Sequence, residues 1–120
     1  MRRKHHDLKV WQEAMTLVNE IYAATASFPK EELYALTSQM RRAAISVPSN
    51  IAEGAARKGN REFLHFLSFA RGSLSELETQ VILARNLGYL ENNESLLERI
   101  EGIFALVGGL INSLQQRLKR

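Results

Sequence analysis

Residues 60–88 read NREFLHFLSFARGSLSELETQVILARNLG, and this stretch decides the fold class. Its apolar side chains recur at alternating steps of three and four residues, which is the spacing of one face of an α-helix. Gly88 follows the last repeat, and glycine is common just past the end of a helix. The stretch therefore predicts a helix over residues 61–87. The repeat consists of Phe63, Leu67, Ala70, Leu74, Leu77, Val81 and Ala84.

The same period recurs in three other segments, residues 7–26, 37–57 and 93–118. Proline, glycine or polar capping residues separate these segments. No alternating β-strand pattern of useful length occurs, and the connections are short enough to place successive helices side by side. We expect an all-α protein, an antiparallel up-down four-helix bundle that occupies residues 1–120 as a single domain.

Individual residues refine the predicted helix ends. Thr37 and Asn60 are predicted to cap the second and third helices, since short polar side chains accept hydrogen bonds from the first free N–H groups. Pro48 lies inside the second segment and removes one main-chain donor, which predicts a kink or a break re-initiated at Asn50. The apolar period continues in register through the proline, and this favours the kink.

Small residues form narrow stripes on the second and fourth segments. Glycine inside a helix costs about 1 kcal/mol relative to alanine, so close contact between helices explains these stripes better than helix propensity does. We interpret both stripes as helix contacts. They consist of Ala43, Ala44, Ala52 and Ala55, and of Gly102, Ala105, Gly109 and Ser113.

The apolar faces are broader than a small bundle needs for its own core. The first segment, for example, carries two parallel stripes. Surplus apolar surface of this kind predicts self-association. One stripe contains Leu8, Trp11, Met15, Val18, Tyr22 and Thr25, and the other contains Ala14, Leu17, Ile21, Ala24 and Phe28.

The composition restricts the location and the partners of the chain. No apolar run reaches the roughly 20 residues that cross a bilayer, so we expect no membrane association. The basic start lacks the apolar core of a signal peptide, and the absence of cysteine fits a reducing compartment. A cytoplasmic location is therefore predicted. The net charge of +3 permits an anionic partner.

An enzymatic interpretation depends on one short motif, Glu62-x-x-His65. Di-iron carboxylate bundles need a second copy of this motif and two further glutamates, and the chain has no second copy. We therefore expect no catalytic residue, no metal, no cofactor and no small-molecule substrate. The remaining acidic residues are interpreted as solvated helix surfaces: Glu13, Glu20, Glu76, Glu78, Glu94, Glu98 and Glu101.

Basic residues concentrate at the ends of segments. An antiparallel bundle returns its second turn and its C-terminus to the end where the chain begins, so three basic clusters would meet there and contact phosphate groups. Alternatively the basic tails aid solubility, because no surface aromatic residues interleave with them; both interpretations stay open. The clusters are Arg2, Arg3, Lys4 and Lys9; Arg57, Lys58 and Arg61; and Arg117, Lys119 and Arg120.

A polar face also runs along the second segment from Gln39 through Arg42, Ser46 and Asn50 to Glu53. Arginine is suited both to partner recognition and to ion pairs within a protein. The face is predicted either to bind a partner or to pair Arg42 with acidic residues of a neighbouring helix.

The run LTSQMRRAAISVPSNIAEG, residues 36–54, resembles the signature of four-helix bundle proteins encoded within intervening sequences of bacterial 23S ribosomal RNA genes. Matching features flank it, among them residues 8–11 near the start and residues 87–90 after the third helix. Ala35 departs from the pattern, in which glycine is expected. The resemblance covers nearly the whole chain.

The resemblance implies a ring-like homopentamer without enzymatic activity that associates with RNA. Relatives also act as accessory proteins of diversity-generating retroelements, where a basic ring engages a reverse transcriptase. Our leading hypothesis is a non-catalytic, homo-oligomeric, RNA-associated accessory or scaffold protein, and the alternative is a protein-interaction subunit of a reverse transcriptase. Carried over by position, the signature residues are Gln39, Arg41, Arg42, Pro48, Ser49, Asn50, Glu53 and Gly54.

Overall fold

The computed structural model describes residues 1–119 and confirms the all-α prediction. It contains four α-helices and, within the described residues, no β-strand. The fold measures 50 × 27 × 20 Å along its principal axes. The helices are α1 (Lys9–Thr25), α2 (Leu36–Ala56), α3 (Asn60–Asn86) and α4 (Glu94–Leu118), and short 3₁₀ turns at Lys4–Asp7 and Lys30–Glu32 precede α1 and α2.

The four helices form a closed cycle in which each one packs against two neighbours. Contacts join α1 to α2, α2 to α3, α3 to α4 and α4 back to α1, whereas no Cα atoms of the diagonal pairs lie within 8 Å of each other in the described part of the chain. The α2–α3 contact is the most extensive of these. Four helices that enclose one core in this way form a four-helix bundle.

One apolar stripe of each helix builds the core. The α3 repeat quoted above is buried along its whole length, as its regular spacing predicts. On α1, the stripe through Ala14, Leu17 and Ile21 is buried, whereas Met15 and Tyr22 of the other stripe lie at the surface. Burial of one leucine or isoleucine side chain stabilises the folded state by about 1.5–3 kcal/mol. The second α1 stripe is therefore only partly used by the core, which Leu8, Trp11 and Val18 contact at its edge.

Several predicted helix ends differ from the observed ones. The first helix begins at Lys9, two residues after the predicted start, because Lys4–Asp7 forms a separate 3₁₀ turn. The capping prediction for Thr37 is wrong, since α2 already begins at Leu36 and the Leu36 N–H donates to the Glu32 carboxylate. The same prediction for Asn60 is also wrong, because Gly59 precedes α3 in extended conformation.

Pro48 does not interrupt α2. The helix continues from Leu36 to Ala56 with Pro48 buried inside it, so the predicted alternative of a break at Asn50 is wrong. A single missing N–H donor is tolerated here because the residues on both sides, Val47 and Ile51 among them, are anchored in the core.

The end of α3 is fixed by the predicted glycine. Gly88 has a φ of +83°, a region that glycine adopts without a steric penalty. The Tyr89 N–H donates to the Ala84 carbonyl at 2.9 Å and the Gly88 N–H donates to the Arg85 carbonyl at 3.0 Å, which is the Schellman arrangement. This turn directs Tyr89 against Phe28, with 5.4 Å between the ring centroids.

The two stripes of small residues have different surroundings. On α2, Ala43, Ala44 and Ala55 are buried, in agreement with the prediction of a helix contact. On α4 the prediction is wrong for this chain, because Gly102 and Gly109 are exposed and a Cβ atom on either would meet nothing within 4 Å. That face of α4 points away from the core.

Candidate nucleic-acid interface

The structure brings two of the three basic clusters together. The Lys4–Asp7 turn packs against α2, and Lys4 Nζ lies 5.6 Å from the centroid of the Phe63 ring at the start of α3. The α2–α3 connection, with Arg57 and Lys58, immediately precedes that ring. The N-terminal segment and this connection therefore form one basic surface, which we call the basic end.

Two arginines of the basic end are engaged within the chain. Arg57 contacts Glu53 at 2.7 Å and Glu62 at 3.6 Å, and Arg2 pairs with Asp7. The other basic residues of the two clusters are exposed, and within residues 1–119 none of them contacts a carboxylate. They are Arg3, Lys4, Lys9, Lys58 and Arg61.

The third cluster is not joined to the others by a side-chain contact. Arg117 and Lys119 are exposed at the end of α4 and make no side-chain hydrogen bond or ion pair with the rest of the described chain. Arg120 lies outside the described residues. A meeting of all three clusters at one end therefore stays a prediction.

Aromatic side chains accompany the basic residues, so the interpretation that no surface aromatics interleave with them is wrong. The His65 and Phe69 rings lie 4.5 Å apart between centroids, and both side chains are exposed. The Phe66 ring lies 6.0 Å from Phe69, with the Arg57 guanidinium 4.9 Å from its centroid. The spacing of Arg61, His65 and Phe69, four residues apart on one helix, was the available sequence signal.

A second aromatic group lies at the N-terminal segment. The His5 ring packs edge-on against Trp11, with 5.0 Å between centroids, and the His6 ring lies 4.4 Å from His5. Partial burial lowers the pKa of His5, and the neighbouring His6 and Arg3 lower it further. The neutral form of the His5 imidazole is therefore favoured at pH 7.

The signature arginines have different surroundings. Arg41 donates from Nε to the Thr25 hydroxyl at 2.9 Å, and its guanidinium lies 4.4 Å from the Tyr22 ring centroid. It therefore holds the start of α2 against the end of α1. Arg42 is exposed beside Gln39 and makes no ion pair in the described part of the chain, so the predicted pairing with neighbouring acids is not observed.

Three other signature residues, Ser49, Asn50 and Gly54, make their contacts within α2 or with α3. The Ser49 hydroxyl and the Asn50 amide donate to carbonyl groups one helical turn earlier, at 2.8 Å each. The polar face of α2 meets α3 where the Ser46 and Ser73 hydroxyls lie 2.5 Å apart. A Cβ atom on Gly54 would lie 2.8 Å from atoms of both Phe63 and Phe66, so α2 and α3 approach closely there.

One charged site escaped the sequence interpretation. Arg99 on α4 donates to the Glu13 carboxylate at 2.9 Å and to that of Glu20, both on α1. The interpretation of Glu13 and Glu20 as solvated surface is therefore wrong. The hydrogen bond with Glu20, more than its charge, raises the pKa of Arg99, although partial burial opposes the shift. No local signal pairs residues so far apart in sequence.

The Glu62-x-x-His65 motif has other contacts. Glu62 faces Arg57, and His65 packs against Phe69. Residues 1–119 contain no group of three or more histidine, cysteine, aspartate or glutamate side chains placed to hold a metal ion. Within the same residues, no helix has the length and apolarity needed to cross a membrane.

The second stripe of α1 lines an open apolar groove between α1 and α2. Met15 and Ile45 are each more than 40% exposed there, and Trp11 and Val18 are half-buried. Buried Pro48 forms part of its floor. We call this surface the α1–α2 groove.

These features define an all-α four-helix bundle protein with a basic end and an exposed apolar groove. A family model described as 23S rRNA-intervening sequence protein matches residues 6–109. The chain belongs to this family, which confirms the family suggested by residues 36–54. A search among curated proteins finds no match.

Proposed function

We propose that this chain is a non-catalytic, homo-oligomeric, RNA-associated accessory or scaffold protein that presents its basic end to phosphate groups. The observation that carries the proposal is the convergence of the N-terminal segment on the start of α3, where Lys4 lies over Phe63. Membership of a family named for ribosomal RNA intervening sequences is consistent with it.

The charges at the basic end support phosphate binding. Five of its basic side chains are unpaired within residues 1–119, and they come from two separate segments of the chain. Each phosphate that such a side chain neutralises releases bound counterions, which makes the affinity fall as salt rises. Arg57 contributes less to this surface, because Glu53 and Glu62 already offset its charge.

Contacts between helix ends support an antiparallel order of the bundle. Arg41, near the start of α2, meets Thr25 at the end of α1. Arg99, near the start of α4, meets Glu20 in the second half of α1. In that order the end of α4 lies beside the start of α1, and Arg117 and Lys119 then extend the basic end.

The α1–α2 groove supports the homo-oligomeric part of the proposal. Exposed apolar side chains in a continuous surface mark interaction sites on soluble proteins. The α1 side of the groove keeps the helical period, yet the core leaves Met15 exposed there. A ring of five subunits is the assembly that we infer from the family resemblance.

Salt-dependent binding to labelled RNA tests the nucleic-acid part. We expect log affinity to fall linearly with log salt for the wild-type chain. Reversal of two charges in Lys58→Glu/Arg61→Glu is expected to weaken binding at least tenfold and to reduce the magnitude of the slope by roughly 1.4–1.8, or about 0.7–0.9 per lost phosphate contact. These two residues are chosen because neither makes an ion pair within residues 1–119.

The matched control is Arg71→Glu/Arg85→Glu, which changes the charge equally, on α3 but outside the basic end. It is expected to retain most of the affinity. Binding without salt dependence, or an equal loss in both variants, contradicts a localised phosphate-binding surface. If the wild-type chain binds no RNA even at 50 mM salt, the proposed RNA association is wrong.

A second candidate function is that of a protein-interaction subunit, with a reverse transcriptase as the partner. The exposed, unpaired Arg42 beside Gln39 and Glu76 favours it. Capture of a purified reverse transcriptase that survives nuclease treatment and is lost in Arg42→Ala would support this function. Capture that disappears with nuclease would instead indicate an RNA bridge.

A further inference from the structure

We infer that the aromatic cluster on α3, formed by His65, Phe66 and Phe69, binds unstacked bases of single-stranded RNA while the basic side chains beside it hold the phosphates. The inference rests on the proposed RNA association and deepens it by naming the form of nucleic acid. Stacking on bases would then fall to side chains that lie outside the hydrophobic core.

The first observation is the exposure of the rings. Phe69 lies outside the buried α3 repeat and is 48% exposed. His65, one turn earlier, is exposed beside it, and Arg61 lies one further turn away. From Arg61 to Phe69 the helix rises about 12 Å, so a cation, an imidazole and a phenyl ring follow one another along one face.

The second observation is that the rings are held in place. The His65 and Phe69 rings pack edge-on with 65° between their planes, an arrangement that aromatic pairs prefer, and Phe66 completes the cluster. Arg57 lies over Phe66, and its carboxylate partners Glu53 and Glu62 hold it there. Side chains that are already ordered lose little entropy when a ligand binds.

The third observation is the position of the cluster beside the N-terminal segment. Phe63, on the turn before Phe66, lies under Lys4, so the cluster continues into the basic end. Positive charge beside an exposed aromatic surface is the arrangement with which proteins bind single strands. The charge follows the backbone and each ring stacks on a base, at about 1–3 kcal/mol per base.

The chemistry favours a single strand over a duplex. Bases within an A-form helix are stacked on each other, and the deep, narrow major groove keeps side chains away from their edges. A flat ring on a convex helix surface has nothing to stack on in a duplex. Phosphate contacts, by contrast, are available in both forms, so the aromatic cluster and not the basic end distinguishes them.

The test compares a labelled single-stranded RNA of mixed sequence with a hairpin RNA of equal length, using the full chain at constant salt. His65→Ala/Phe69→Ala is expected to bind the single strand at least tenfold more weakly and the hairpin with unchanged affinity. The salt dependence should stay as in the wild type, because no phosphate contact is removed. Phe69→Trp should restore most of the single-strand affinity when it is combined with native His65.

The matched control is Leu83→Ala/Leu87→Ala, which removes two exposed apolar side chains near the far end of the same helix. It is expected to leave both affinities unchanged. Photocrosslinking of a 4-thiouridine strand gives a second measurement. After digestion with trypsin, the crosslinked nucleotide should be found on the peptide of residues 62–71, which contains all three rings.

Equal binding of strand and hairpin by the wild type, with no effect of the ring substitutions, overturns the inference and leaves the proposed RNA association intact. Failure of every RNA to bind overturns both. If His65→Ala/Phe69→Ala changes the particle mass but not the affinity for the single strand, the aromatic cluster forms subunit contacts. That result would also overturn the inference.

Discussion

Gly54 shows how a single missing side chain determines the distance between two helices. A Cβ atom at this position would lie 2.8 Å from Phe63 Cδ1 and from Phe66 Cβ, closer than non-bonded carbon atoms approach. Because Phe63 is buried and Phe66 supports the aromatic cluster, neither can move away without disturbing its neighbours. A glycine at this position therefore allows the close α2–α3 packing that orders the start of α3.

Gly54→Ala is accordingly expected to destabilise the chain by about 1–3 kcal/mol, measured by urea unfolding. Gly102→Ala is the control, because it adds the same methyl group to a helix where nothing lies within 4 Å. That change should stabilise the isolated chain by roughly 0.5–1 kcal/mol, since alanine favours the helix. Equal effects of the two substitutions would contradict the packing argument.

At the scale of helices and connections, the bundle is tied together by polar contacts between segments distant in sequence. The Tyr89 hydroxyl donates to Glu32 Oε2 at 2.9 Å, which joins the end of α3 to the 3₁₀ turn before α2. Arg99 joins α4 to α1 in the same manner. These contacts supplement a core whose apolar stripes alone do not fix how the connections lie.

The Tyr89 contact predicts a loss of stability at alkaline pH. The hydrogen bond to Glu32, with smaller effects of burial and nearby carboxylates, raises the pKa of Tyr89 above its usual value near 10. A raised pKa means that the contact stabilises the folded state fully below the unfolded pKa. This contribution is lost as pH rises through the folded pKa.

Tyr89→Phe keeps the ring against Phe28 and removes only the hydroxyl. Its melting temperature should lie below that of the wild type at pH 8, and the difference should shrink as pH rises past the pKa of the folded-state phenol. Tyr34→Phe is the control, because Tyr34 is 92% exposed and should show no difference at either pH. A Tyr89→Phe difference that does not change while the folded-state phenol titrates, followed by its absorbance, would contradict the assignment.

The whole molecule presents two faces that its own core does not use, the basic end and the α1–α2 groove. The groove lies between α1 and α2, whereas the aromatic cluster beside the basic end lies on α3. Assembly through the groove would leave that cluster exposed. We therefore expect self-association and RNA binding to depend on separate side chains.

The groove prediction concerns particle mass. The wild-type chain should form particles larger than one chain at micromolar concentration, measured by light scattering. Met15→Glu/Ile45→Glu should reduce the mass to that of one chain, with helix content unchanged, because burial of two charges in an apolar interface is costly. A wild-type mass equal to one chain would remove the homo-oligomeric part of the proposed function.

Leu83→Glu/Leu87→Glu serves as the control on the exposed face of α3, and it should keep the wild-type mass. Dissociation of this variant, with the groove variant still assembled, would place the subunit contact on α3. The two double variants add the same charge, so net charge does not explain a difference between them.

The sequence by itself determined the four helices, the proline within α2, the glycine stop after α3 and the family, because helical period and local signals depend on residues close together in the chain. Caps were less predictable: Glu32 took the role expected of Thr37. Both α1 stripes have the same period, and only packing against α2 and α4 decided which one is buried.

Tertiary structure alone also decided the charges and rings at the candidate sites. Arg99 paired with Glu13 and Glu20 across the bundle, and Lys4 lay over Phe63 because the N-terminal turn folded back onto α2. Such contacts join segments whose separation in sequence carries no periodic signal. Their geometry depends on how whole helices approach, and burial of the apolar stripes sets that approach.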